Sequence, residues 1–80
     1  MKRLVVFNYE RNKDSISACY FPEDKANDSG YIKLSRNGVV LEERKTEFDK
    51  NGEYHKEAMK KVSDSWTMIP LPSKTEVVFT

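Results

Sequence analysis

Only one stretch of this chain repeats its apolar side chains every three or four positions: Tyr54, Ala58, Met59, Val62, Trp66 and Ile69. That spacing gathers them on one side of an amphipathic helix. The other apolar runs alternate with period two, as strands do. Eighty residues give room for one domain and one thin core, so residues 1–80 must build it from several strands and a single helix.

The strands follow in order. Leu4 to Glu10 is rich in β-branched and aromatic residues, with Val5, Phe7 and Tyr9 on one face and Leu4, Val6 and Asn8 on the other. After the polar break Arg11-Asn12-Lys13-Asp14, Ser15 to Phe21 alternates Ile16, Ala18 and Tyr20 against Ser17, Cys19 and Phe21, so the two runs read as a hairpin. Pro22 to Ser29 is polar and aperiodic, a surface loop. Asn37-Gly38 then sits between two alternating runs and suits a two-residue type I′ turn, because both residues tolerate positive φ. That turn sets a register: Ser35 against Val40, Leu34 against Leu41, Lys33 against Glu42, Ile32 against Glu43 and Tyr31 against Arg44.

Asp49 or Asn51 would cap the helix, which should end near Trp66, because Pro70 drives Ile69 out of helical geometry. Trp66 is expected between helix and sheet. Thr75 to Thr80 supplies a last strand. The order β-β-β-β-α-β leaves the fifth strand antiparallel to the first. The expected fold is therefore a two-layer α+β domain, an antiparallel sheet in the order 5-1-2-3-4 with one helix on one face. Pairing of the fifth strand with the fourth, in parallel, is the competing arrangement.

Charge says little about partners. Fourteen Lys and Arg against thirteen Asp and Glu leave +1, without the basic excess of a typical nucleic-acid or anionic-membrane binder. Cys19 is alone and closes no disulfide within the chain, which suits a reducing cytoplasm. No run approaches the roughly 20 apolar residues of a membrane span, and Asn8, Glu10 and Arg11 interrupt the apolar start too early for a signal segment.

Nucleophilic catalysis needs a nucleophile, a base and an orienting group at matched positions. Cys19 lies inside a strand and reads as a small packing residue, and His55 as an exposed one beside the helix stripe. Asp49, Glu53 and Glu57 suit the positive end of the helix dipole. Asp49-Lys50-Asn51-Gly52 opens like a calcium loop, but Tyr54 stands where glycine is required and Lys60 where glutamate is. Zinc spacing is absent, and Gly30, Gly38 and Gly52 are too scattered to cradle a phosphate. No catalytic residue, cofactor or metal is expected.

One helix cannot cover five strands, and this points to a function by contact. The expectation is a non-catalytic cytoplasmic protein that binds another protein, or pairs as a homodimer, through the uncovered sheet face or an edge. The interaction surface is placed on Tyr31, Lys33, Val40 and Arg44. The alternative is single-stranded nucleic-acid binding on the Tyr31 hairpin, which sets an aromatic ring among Lys33, Arg36 and Arg44.

Overall fold

In a computed structural model describing residues 1–80, strands β1 (Lys2–Arg11), β2 (Ser15–Pro22), β3 (Gly30–Ser35), β4 (Val40–Arg44) and β5 (Lys74–Phe79) form one sheet. Their order is β4-β3-β2-β1-β5, and every neighbouring pair is antiparallel. This is the expected two-layer α+β arrangement, with the last strand beside the first. Helix α1 (Glu53–Asp64) continues into a 3-10 turn over Ser65–Thr67. It lies over β1, β2 and β3 and reaches the two outer strands only through Tyr54, whose ring meets Phe79 of β5, and His55, which meets Glu43 of β4.

The core is the contact between that helix and the near face of the three central strands. Leu4 and Val6, then Ile16, Ala18 and Tyr20, then Ile32 and Leu34 come from the sheet, and Tyr54, Ala58 and Val62 from the helix. Alternation delivers the first set and helical spacing the second. At roughly 1.5 to 3 kcal/mol for each large side chain removed from water, this contact dominates the stability. Trp66 is only partly buried: it falls in the 3-10 turn, where the Arg36 guanidinium lies 5.4 Å from its ring centre. Ile69, beyond that turn, is 89% exposed, so the apolar stripe stops short of it.

Side chains rather than the terminal residues finish the helix. Gly52 stands at the N-cap with φ 74° and has no side chain to offer, and the carboxylate of Asp49 accepts the backbone N–H groups of Tyr54 at 3.1 Å and His55 at 2.8 Å. The expected cap is therefore Asp49, which reaches in from an earlier turn of the chain. At the other end Arg11 donates to the carbonyls of Ser65, Trp66 and Met68 at 3.4, 2.9 and 2.7 Å, tying the end of β1 to the helix C-terminus.

Two bulges depart from strict alternation. Register slips by one residue in β1 between Phe7 and Glu10, where Asn8 adopts φ 56°. Asparagine tolerates this left-handed conformation better than most side chains, and it turns Tyr9 onto the face of Leu4 and Val6. There Tyr9 packs against the core, and its hydroxyl meets Thr75 Oγ1 at 3.1 Å. The second bulge corrects the β3–β4 hairpin. Its loop holds three residues, Arg36-Asn37-Gly38, not two: Gly38 N–H donates to Ser35 O, Ser35 N–H donates to Val39 O, and only Gly38 takes positive φ, at 85°. That is a type I turn closed by a left-handed glycine. Leu34 consequently pairs with Val40, and Leu41 is the extra residue that restores Lys33 against Glu42, Ile32 against Glu43 and Tyr31 against Arg44.

Gly30, opposite Tyr20 at the start of β3, is required by packing. A Cβ there would run into the Tyr20 ring and lie 2.6 Å from the Arg44 carbonyl oxygen, a backbone atom that cannot swing aside. Gly30→Ala is expected to cost about 2 kcal/mol, or roughly 10 °C in Tm; a thermal melt matching the parent would mean that the Tyr20 ring does not lie across this glycine.

Candidate interaction surface and a buried histidine bridge

The sheet face turned away from α1 carries one continuous cross-strand row. The pairings of β5 with β1, β1 with β2, β2 with β3 and β3 with β4 align Lys74, Phe7, Cys19, Tyr31 and Arg44. The next row holds Glu76, Val5 and Phe21, and the row on the other side Glu10, Ser17, Lys33 and Glu42. Phe7, Phe21 and Tyr31 are each partly buried; the Phe7 and Phe21 rings meet at a centroid distance of 5.7 Å, and Tyr31 stands across Cys19 from Phe7. Three rings thus sit on a face that no element of the chain covers.

Charges alternate around these rings. The face carries Arg3, Lys33, Arg44 and Lys74 against Glu10, Glu42 and Glu76, and neither the Lys2–Glu53 salt bridge nor the His55–Glu43 contact uses any of them. A depression of about 220 Å³ opens beside Val5 and Phe21, with Arg3, Glu23, Asp24, Lys74 and Glu76 on its walls. The arrangement combines apolar rings that are unfavourable to hydrate with charges able to choose a partner by sign.

Of the residues placed on this surface from sequence, Tyr31, Lys33 and Arg44 come together as expected. Val40 does not join them. The Leu41 bulge turns it to the side of Leu34, 37% exposed at the far corner of the sheet. Phe7, Phe21 and Cys19 belong to the surface and were legible from the alternation of the first hairpin, where they share the face opposite Val6 and Tyr20. Cys19 is partly exposed between Phe7 and Tyr31 rather than packed in the core.

His55 is not the exposed side chain that the helix pattern suggests. It is 4% exposed, with Nδ1 2.6 Å from the Tyr20 hydroxyl and Nε2 2.6 Å from Glu43 Oε1. A Glu43 carboxylate accepts from Nε2–H, and in that tautomer of the neutral ring Nδ1 accepts from the Tyr20 O–H. Burial, and then the negative charge of Asp49, push the Tyr20 phenol well above its ordinary pKa, so it stays a donor. Hydroxyl, imidazole and carboxylate form a relay in outline, but Tyr20 is fully buried and no cavity opens on any of the three. What the geometry accomplishes is mechanical: it links β2, α1 and the outer strand β4. No three His, Cys, Asp or Glu side chains converge as a metal site would require.

A second polar bridge closes the opposite end. The Tyr54 hydroxyl donates to Glu23 Oε2 at 2.6 Å, and the same oxygen accepts the Arg3 backbone N–H at 2.9 Å. The hydrogen bond from Tyr54, and then that from Arg3, hold the Glu23 carboxyl below its ordinary pKa. Burial, and then the bond to Glu23, push Tyr54 up to about 12.

Two outcomes follow from these bridges. Tyr20→Phe keeps the packing and removes one hydroxyl, yet leaves His55 Nδ1 buried without a donor, so a loss of about 1 to 3 kcal/mol is expected in urea denaturation; an unchanged midpoint would remove the hydrogen bond from the account. Because the folded pKa of Glu23 lies below its unfolded value, its bridge contributes fully above the ordinary glutamate range and fades as pH falls through the depressed value. The stability gap between the parent and Glu23→Gln should therefore be widest near neutrality and shrink on acidification, and a gap independent of pH would contradict the assignment.

Compared with known proteins, the chain matches no family model, no curated protein and no solved structure.

Proposed function

We propose that this is a non-catalytic binding protein that works in the cytoplasm and engages a protein partner through the helix-free face of its sheet. One observation carries the reading: Phe7, Phe21 and Tyr31 share a face that α1 leaves open, flanked by charges without salt-bridge partners in the chain. Rings of this kind anchor protein interfaces, and a rim of both signs discriminates among partners. The lone, unpaired cysteine supports the reducing compartment.

Single-stranded nucleic acid is the second reading, favoured by the same rings beside Lys33, Arg44 and Lys74, since bases stack on aromatic side chains exposed on a sheet. Glu10, Glu42 and Glu76 stand between those cations and nearly neutralise the face, and a phosphate chain gains little from such a surface. The protein partner is therefore favoured.

Phe7→Lys tests the choice, because it charges the centre of the face without touching the core. Immobilised parent protein should retain a protein partner that the folded variant loses, and undiminished capture by the variant would remove the face from the account. Binding of a single-stranded oligonucleotide that weakens steeply with salt and is lost in Phe7→Lys would replace the protein by nucleic acid.

A further inference from the structure

We infer that the partner on the helix-free face is a second copy of this chain, docked about a two-fold axis that crosses β1 between Val5 and Phe7; this rests on reading that face as the binding surface. The order of charges carries the inference. Along β1 the outward side chains run Arg3, Val5, Phe7 and, past the bulge, Glu10; on β5 beside them Val78, Glu76 and Lys74 stand level with Arg3, Val5 and Phe7. A two-fold axis perpendicular to the strands reverses that order in the second copy. Through the midpoint of Val5 and Phe7, it sets Lys74 against the second copy's Glu76, Arg3 against its Glu10, Phe7 against its Val5 and Cys19 against its Phe21. Symmetry makes each contact twice, so four pairs of opposite charge surround an apolar centre.

Neighbouring placements lose this match. An axis through the Phe7 row sets Lys74 on Lys74, and one through the Val5 row sets Glu76 on Glu76. An axis parallel to the strands and centred on β2 sets Lys74 over Arg44, although it also sets Glu10 over Lys33. Like charges face one another in each, which disfavours the alternative registers. Arg3, Glu10, Lys74 and Glu76 are all exposed and form no salt bridge within the chain, so they are free to pair across the interface. Two facing sheets cross at an angle near 30°, yet β5 lies one strand, about 4.8 Å, from β1, so the displacement of its charges remains within the reach of their side chains. About this axis β5, β1 and β2 face their own counterparts, an area of roughly 15 by 20 Å on each copy, so about 600 Å² is covered in all, the size of a weak, transient contact. Such a dimer should exchange with monomer at micromolar concentration.

Sedimentation equilibrium over a hundredfold range of concentration decides the matter, with Tm confirming that each variant folds. The parent should pass from monomer to dimer. Lys74→Glu alone and Glu76→Lys alone should each weaken dimerisation tenfold or more, and the double variant Lys74→Glu/Glu76→Lys should recover to within about threefold of the parent, because the exchanged charges again oppose one another. A parent that remains monomeric throughout, or a double variant as weak as either single one, would overturn the inference. If the parent is monomeric while Phe7→Lys still abolishes capture of another protein, only the homodimer falls and the face remains the binding surface. A dimer indifferent to Phe7→Lys would overturn both.

Discussion

An α-helix is about 10 to 12 Å across and strands lie about 4.8 Å apart, so one helix shields two or three strands and no more. This chain has one helix and five strands. α1 accordingly sits over β1, β2 and β3, and the buried apolar side chains collect beneath it. The opposite face has no second layer. Its rings are partly buried, Phe7 against Phe21, and its charged residues flank them without forming salt bridges with one another. The division into a packed face and an open one is the constraint from which the core, the candidate surface and its chemistry all descend.

The two outer strands manage their exposure differently. β4 is short, bulged at Leu41, and carries Glu42, Glu43 and Arg44, features that discourage pairing with another chain. It is fastened by side chains as well as by β3, because Glu43 reaches His55 across the helix-facing side. β5 is regular over six residues and aligned with β1 along its whole length. The charges it turns outward, Lys74 and Glu76, lie next to the aromatic rows, while Val77 and Phe79 on its other side pack against the core.

Polar groups inside this molecule act as fasteners. Tyr20 reaches His55 only because Gly30 has no side chain to block its ring, and His55 in turn reaches Glu43. Asp49 supplies the donors at the start of α1 with acceptors, while Arg11 gathers the carbonyls at its end. Asp28, in the loop after β2, likewise accepts the backbone N–H groups of Glu47 and Phe48 and pins that loop to the segment before the helix. The bonds of Tyr20 to His55 and of Asp49 to the start of α1 are buried, and a buried partner left unmade would cost more than the bond itself contributes.

Period alone determined the kind and order of the elements: five alternating runs and one helical stripe, with the last strand antiparallel to the first because four strands precede the helix. It also determined that Tyr31, Lys33 and Arg44 share a face, since pairing beyond the hairpin loop keeps their parity. What period could not determine is where parity breaks. A bulge adds one residue without altering composition, so the turn of Tyr9 toward the core and of Val40 away from Tyr31 depended on backbone conformations at Asn8 and Leu41 that only pairing with neighbouring strands selects. The role of His55 was hidden for a related reason. Its spacing to Ala58 and Val62 does place it near the apolar stripe, but a histidine is buried only where partners meet it. Those partners, Tyr20 and Glu43, lie 35 and 12 residues away in sequence and are joined to it by the fold alone.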